Sequence, residues 1–199
     1  MVGRTSLTLR DGMRDISEHA FLNIKNTSKT ITADVEVPAG GGNGVILAQG
    51  GRFGGWSLYI KDGKPTYTYN FLGMQRFTIA SNEVLLAGKS TVRFEFAYDG
   101  GGMGKGGQGT LLVNGKQVAS GRIEHTQAMI FSADETADVG MDNATPVVED
   151  YGLYRGVFNG KVLKVTVEIP PPAKPAAPVK TGGAAPAVKA EPLAVAGTR

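Results

Sequence analysis

Residues 44–73 have the sequence GVILAQGGRFGGWSLYIKDGKPTYTYNFLG, which predicts three consecutive antiparallel strands. The strands are expected at residues 44–49, 56–60 and 66–70. A glycine loop at 50–55 and the dipeptide Asp62-Gly63 separate them. Asp-Gly between two strand-like runs is a strong hairpin signal, because a type I′ turn needs positive φ at both central residues. This stretch therefore predicts a β-meander and determines the fold class.

Alternation within the meander predicts which side chains are buried. Side chains alternate across a strand, so Trp56, Leu58 and Ile60 share one face, which we assign to the core. Tyr59 lies on the opposite face, and Asn70 ends the third strand. The meander is therefore predicted to have one buried face and one amphipathic face.

Short alternating segments recur along most of the chain, and no segment has the pattern of a helix of three turns. Further strands are predicted at residues 5–10, 30–37, 77–80, 91–98, 110–113, 116–119, 121–126, 129–131 and 157–169. Many short strands separated by turn residues are typical of all-β folds. We predict an antiparallel β-sandwich or jelly roll.

Composition divides the chain into three parts. Residues 1–29 are mixed and are predicted to be a lead-in partly packed on the sandwich, which occupies residues 30–169. Residues 170–199 hold seven of the ten prolines and no aromatic residue. Such a segment buries too little apolar surface to offset its ordering entropy, so we predict a disordered Pro/Ala/Lys-rich tail.

The glycine-rich segment DGGGMGKGGQG at residues 99–109 is predicted to be a flexible surface loop. A phosphate-binding glycine loop is followed by a helix whose free N–H groups point at the anion. Here a predicted strand follows, so a phosphate site is not expected.

Several classes of function are excluded by composition. The chain has no cysteine and only two histidines, His19 and His125, so a thiolate metal site, a histidine-based zinc site and a Ser-His-Asp triad are not expected. The net charge is +3 with the charges scattered, which argues against a nucleic-acid partner. No apolar run has the length of a membrane span, and no signal peptide is visible. We expect a soluble cytoplasmic or periplasmic protein with no cofactor and no membrane partner.

An acidic segment, SADETADVGMD at residues 132–142, is the strongest concentration of negative charge. Asp138 and Asp142, with Asp150 beyond the segment, are candidate calcium ligands, because calcium takes six to eight oxygen ligands. The spacing does not match a known calcium loop, so a solvated acidic loop is the favoured interpretation and a metal site is not. Adjacent Asp134 and Glu135 would point to opposite faces of a strand, which makes them a poor glycosidase pair.

Four residues of the meander are candidates for contacting a ligand or a partner. Aromatic side chains beside polar groups can stack on a sugar or dock a partner. Trp56 is assigned to the core, so the expected surface contacts are Arg52, Phe53, Tyr59 and Asn70. The alternative for Phe53 is that its ring folds back under its own loop.

The sequence contains DGM at residues 11–13, NIKNTSKTITADVEV at 23–37, GVILAQGG at 44–51, GGWSLYIKDGKPTYTYN at 54–70 and FNGKVLKVTV at 158–167. Together these segments resemble the C-terminal region of bacterial arylsulfatases, and the resemblance spans residues 5–169. A separate, fold-level similarity to laminin-G and concanavalin-like sandwiches also indicates a β-sandwich.

The resemblance implies no catalysis by this chain. Sulfatases form their catalytic formylglycine in a Cys/Ser-x-Pro-x-Arg motif, which is missing here, and their large α/β catalytic domain does not fit in 199 residues. We therefore expect a non-catalytic accessory domain that docks on a sulfatase catalytic domain in cis or in trans. A stand-alone carbohydrate-binding module is the alternative, and a small β-sandwich hydrolase is a third, weaker hypothesis.

Overall fold

A computed structural model describes residues 3–152 and 156–171 of the chain. Two antiparallel sheets of six and five strands pack face to face around one main core. The predicted all-β antiparallel sandwich is therefore confirmed. The predicted tail falls almost entirely on residues 172–199, which lie outside the described residues. Within the two described ranges, no helix has the length and apolar character needed to cross a membrane.

Eleven strands and one 3₁₀ turn make up the described fold. The strands are β1 (Ser6–Leu9), β2 (Lys29–Val37), β3 (Gly44–Gly51), β4 (Gly54–Lys61), β5 (Lys64–Phe71), β6 (Gln75–Ala80), β7 (Gly88–Tyr98), β8 (Lys105–Val113), β9 (Lys116–His125), β10 (Ala137–Val139) and β11 (Lys161–Glu168). The 3₁₀ turn spans Glu149–Tyr151. The six-stranded sheet has the order β1-β11-β2-β7-β8-β9, and the five-stranded sheet has the order β10-β3-β4-β5-β6.

The predicted meander is present as β3, β4 and β5, and it continues into β6. Asp62 and Gly63 have φ of 50° and 76°, as a type I′ turn requires. The predicted glycine loop at 50–55 is much shorter than expected. Its glycines belong to the ends of β3 and β4, with Gly51 paired to Gly54, so that only Arg52 and Phe53 form the turn.

Aromatic rings from both sheets join the two layers of the sandwich. The rings of Tyr67 on β5 and Phe94 on β7 stack with centroids 3.5 Å apart, and Trp56 on β4 stacks on Tyr67 at 6.1 Å. The indole Nε1 of Trp56 donates a hydrogen bond to Gln49 Oε1 at 3.1 Å. Trp56 is fully buried, so its assignment to the core is confirmed.

The second face of the meander is also buried, so the predicted amphipathic face is wrong. Residues 142–152, which we call the strap, cross the outer face of the five-stranded sheet and form a second, smaller core there. This core contains Val45, Ala48, Tyr59, Val147 and Val148, with Tyr151 packed against it. The sheet is therefore covered on both sides where the strap crosses it.

The lead-in is an integral part of the sandwich. β1 pairs with β11, and Ile16 forms a bridge with Ala137, the first residue of β10. Phe21 and Leu22 are buried in the main core. Apart from the Ile16 bridge, residues 16–22 belong to no regular element.

Two predictions for the second half of the chain are wrong. β8 begins at Lys105, so that Gly106, Gly107 and Gly109 lie in a strand and the loop is shorter than predicted. Glycine occupies these strand positions because there is no space for a side chain: a Cβ on Gly107 would overlap the carbonyl oxygen of Ala97 and crowd the Phe96 ring. Residues 129–131, predicted as a strand, form an irregular loop.

Replacement of Gly107 by alanine tests this steric explanation. We expect Gly107→Ala to lower the free energy of unfolding by about 1–3 kcal/mol, the usual cost of overpacking. Urea denaturation measures the change. Gly40→Ala is the matched control, since a Cβ at Gly40 meets no atom within 4 Å. Equal stability of the two variants would show that β8 has room for a side chain at residue 107.

Candidate functional site

Two hairpin turns lie side by side at one end of the five-stranded sheet. One is the Arg52-Phe53 turn between β3 and β4, and the other joins β5 to β6 through residues 72–74. Their exposed side chains, with that of Arg76, form what we call the tip surface: Arg52, Phe53, Leu72, Met74 and Arg76. Phe53 is 75% exposed and Met74 74% exposed, so the alternative in which Phe53 folds back under its loop is wrong.

Asn70 holds the two turns and the strap together. Its Nδ2 donates to the carbonyl oxygens of Gly51 and Arg52, both at 2.9 Å, and to that of Val147 at 3.1 Å. Its Oδ1 accepts a hydrogen bond from the N–H of Gly73 at 2.9 Å. Asn70 was expected to contact a ligand, but it is completely buried. It therefore positions the tip surface from below.

Leu72 occupies a backbone conformation that is unusual for leucine. Its φ is 54°, which corresponds to the φ of 50° at Asp62 and 49° at Asn114 in the other X-Gly turns. Asp and Asn tolerate this left-handed region, whereas for other L-residues it costs roughly 1–2 kcal/mol. The bond from Gly73 to Asn70 holds the turn in place. The Leu72 side chain is 46% exposed.

Two arginines give the tip surface its polar character. Arg52 is exposed, and within the described residues its guanidinium forms no ion pair. Its backbone N–H is fixed by a hydrogen bond to Thr145 Oγ1 at 2.9 Å. Arg76 has one ion-pair contact, from Nη2 to Glu149 Oε1 at 3.6 Å, while its Nε has no hydrogen-bond partner. The Nε of Arg76 is buried, whereas the exposed guanidinium of Arg52 has N–H groups available to acceptor atoms of a ligand.

Tyr59, the fourth predicted contact residue, does not reach the surface. It is fully buried beneath the strap, where its hydroxyl donates to Asp150 Oδ2 at 2.6 Å and contacts Thr68 Oγ1 at 3.0 Å. Burial and the Asp150 carboxylate raise the pKa of Tyr59. The prediction that Tyr59 is an exposed contact is wrong, because the strap that covers it is about 90 residues away in sequence.

The three candidate calcium ligands accept hydrogen bonds from the protein itself. Asp138 Oδ1 accepts from the N–H of Asp15 at 2.8 Å, and Asp150 Oδ1 binds Lys61 Nζ at 2.8 Å. Asp142 Oδ2 accepts from the N–H of Val147 at 2.8 Å and from the Tyr151 hydroxyl. Among the described residues, no three acidic or histidine side chains are grouped so that they could hold a metal ion.

The expectation of a solvated acidic loop is wrong for two of these residues, since Asp138 and Asp142 are 2% and 1% exposed. Burial raises the pKa of Asp142 to about 7, although its hydrogen bonds to Tyr151 and Val147 oppose this change. Through its hydrogen bonds to Val147 and Tyr151, Asp142 joins the start of the strap to its middle and its end.

The comparisons with known proteins identify the fold class. No protein-family model and no curated protein matches the sequence. Among solved structures, the CBM40 module of the Ruminococcus gnavus IT-sialidase matches with a TM-score of 0.56 and 17% identity, over 83% of this chain and 90% of that chain. The same module bound to α2,3-sialyllactose gives a TM-score of 0.52 and 16% identity, over 71% and 75%.

A leech intramolecular trans-sialidase also matches, with a TM-score of 0.50 and 14% identity, over 83% of this chain but only 25% of that one. The chain thus shares the jelly-roll sandwich of these modules. At such low identity the likeness concerns the fold alone.

Removal of the Asn70 side chain is expected to destabilise the tip surface and the strap together. Asn70→Ala leaves buried carbonyl and N–H groups unpaired, and we expect the free energy of unfolding to fall by roughly 2–3 kcal/mol. Urea denaturation gives the value, with exposed Asn82→Ala as the control. Asn70→Asp keeps the acceptor for Gly73 but loses the donors, so it should be no more stable than Asn70→Ala. Wild-type stability in either variant would contradict the role assigned to Asn70.

The buried carboxyl of Asp142 predicts a pH dependence of stability. Because its folded-state pKa is raised from 3.8 to about 7, the folded state binds more protons than the unfolded state between these values. The contribution of Asp142 to stability is therefore present below about pH 4 and is lost as the pH rises through 7. Burial lowers the pKa of Lys29 to about 7. Its ionisation therefore changes stability only above pH 7.

Melting temperatures of the wild type and Asp142→Asn, measured from pH 4 to 8, check this prediction. We expect the wild type to lose stability relative to the variant as the pH rises. A difference between the two proteins that does not change with pH would show that Asp142 has an ordinary pKa.

Proposed function

We propose that this chain is a non-catalytic carbohydrate-binding module that binds its ligand at the tip surface. The observation that carries the proposal is the length of the structural match. The chain covers 90% of the CBM40 module of a sialidase, and that module has also been solved with sialyllactose bound. The structural likeness supports a carbohydrate as the ligand. The residues that contact it are inferred from this chain alone.

The tip surface has the side chains that sugar binding requires. Phe53 is the one aromatic residue among the large apolar side chains that the described structure leaves exposed. An aromatic ring offers an apolar face on which the C–H face of a pyranose can stack, and polar groups placed nearby determine orientation. Arg52 and Arg76 lie on the same surface and can donate hydrogen bonds to hydroxyl, carboxylate or sulfate oxygens.

The backbone of this surface is held before any ligand arrives. Asn70 bonds to both turns, and Thr145 bonds to the N–H of Arg52. A preorganised site loses less conformational entropy on binding than a flexible loop. Carbohydrate ligands make few strong contacts, so this rigidity contributes directly to affinity.

The arylsulfatase resemblance stays a prediction from sequence. None of the similar structures described above is a sulfatase. Docking on a sulfatase catalytic domain therefore becomes the second hypothesis, and carbohydrate binding, which the sequence offered as the alternative, becomes the first.

Glycan-array binding followed by calorimetry on the positive glycans tests the proposal. We expect the wild type to bind at least one glycan, Phe53→Ala to bind it at least tenfold more weakly, and Phe53→Trp to retain binding. Leu86→Ala is the matched control, because Leu86 is 78% exposed but lies outside the tip surface. Wild-type affinity in Phe53→Ala, or no glycan bound by the wild type, would overturn the proposal.

A further inference from the structure

An apolar groove adjoins the tip surface on the side of the loop that follows β9. It is lined by Phe71, Leu72, Thr126, Ala128, Met129 and Ile130, together with Gln127. Met129 is 74% exposed and Ile130 44% exposed. No charged residue lines this groove, whereas the tip surface carries Arg52 and Arg76 and lies beside Glu149.

Leu72 connects the two concavities, since its side chain lines both of them. Its left-handed backbone places an apolar side chain where the other hairpins have Asp62 or Asn114. Backbone conformations that cost energy are often found at functional sites. A ligand that occupied the tip surface would therefore reach the groove by crossing Leu72.

The walls of the groove are held in place by hydrogen bonds. The N–H of Gln127 donates to the Tyr69 hydroxyl at 2.7 Å, and Gln127 Nε2 donates to the carbonyl oxygen of Ile130 at 2.9 Å. Thr126 Oγ1 donates to the carbonyl oxygen of Lys105 at 2.7 Å. The loop therefore presents Met129 and Ile130 from a fixed backbone.

We propose that the ligand of this site is a glycoside with an apolar aglycone. The sugar lies over Phe53 between the arginines, and an alkyl or aryl aglycone crosses Leu72 and lies in the groove against Met129 and Ile130. This inference rests on the proposed function. A groove lined by seven residues matches a chain of several carbons, whereas a stable protein partner buries about 800 Å² on each side.

The test compares methyl and octyl β-glycosides of glucose, galactose and N-acetylglucosamine, at concentrations below micelle formation, by calorimetry with the whole chain. We expect an octyl glycoside to bind at least tenfold more tightly than its methyl counterpart. Tenfold corresponds to about 1.4 kcal/mol, which requires burial of only about 56 Å² of apolar surface. Octyl tetraethylene glycol ether, which has the alkyl chain but no sugar, is the control ligand.

Matched variants separate the two halves of the site. The double variant Met129→Ser/Ile130→Ser should bind octyl and methyl glycosides with equal affinity, because it loses the tighter binding of the octyl glycoside and keeps the affinity for the methyl glycoside. Val84→Ser/Leu86→Ser, which removes exposed apolar groups from another surface, should keep the tighter binding of the octyl glycoside. Phe53→Ala should weaken binding of both glycosides. Circular dichroism confirms that each variant is folded.

The outcomes distinguish this inference from the proposed function. Equal binding of methyl and octyl glycosides would overturn the aglycone assignment and leave carbohydrate binding intact. Binding of the sugarless ether as tightly as an octyl glycoside would also overturn it. A dimer in sedimentation experiments that the Met129/Ile130 variant dissociates would show that a second copy covers the groove. Failure of every glycoside tested would overturn the aglycone assignment for these three sugars, while the glycan array decides the proposed function separately.

Discussion

The central meander can be stable only if both of its faces are covered. One face of β4 presents Trp56, Leu58 and Ile60 to the main core, while the other presents Ser57 and Tyr59. The six-stranded sheet covers the first face, and the strap must cover the second. Exposed apolar surface and unpaired polar groups would otherwise oppose folding. The strap needs anchors because it has little regular structure of its own, and Asp142, Asp150 and Asn70 provide them.

The parts of the fold that depend on local pattern were predictable from the sequence. Alternation assigned Trp56 to the core, and the Asp62-Gly63 dipeptide predicted its turn. The errors at Tyr59 and Asn70 have one cause: the segment that buries them lies about 80 to 90 residues later in the chain. Periodicity indicates which side chains share a face but carries no information about a covering segment of irregular structure. Gly107 was misassigned for a similar reason, since the ring that excludes a side chain there belongs to a different strand.

Two of the five residues of the tip surface, Arg52 and Phe53, were predictable from the sequence, and Arg76 was not. Arg52 and Phe53 were expected at the surface because they lie in a predicted glycine loop, although the sequence left open that the Phe53 ring folds back under that loop. Leu72 and Met74 were missed, although one signal was present: Leu-Gly stands at a hairpin position where this chain elsewhere uses Asp-Gly and Asn-Gly. A leucine in such a position is more informative than an ordinary exposed leucine, because the backbone there favours other residues. The groove beside Met129 depends on how a loop after β9 meets the end of β5, which no local pattern encodes.

The bonds made by Asn70 have a consequence for how this surface can change. All four of its partners are main-chain atoms: three carbonyl oxygens and one N–H group. The side chains at positions 52, 53 and 74 take no part in holding their own turns. Substitution there changes the chemistry of the surface without disturbing the scaffold, so the surface can diversify in evolution through single replacements. The same separation makes these positions suitable for randomisation in a library of engineered binding proteins.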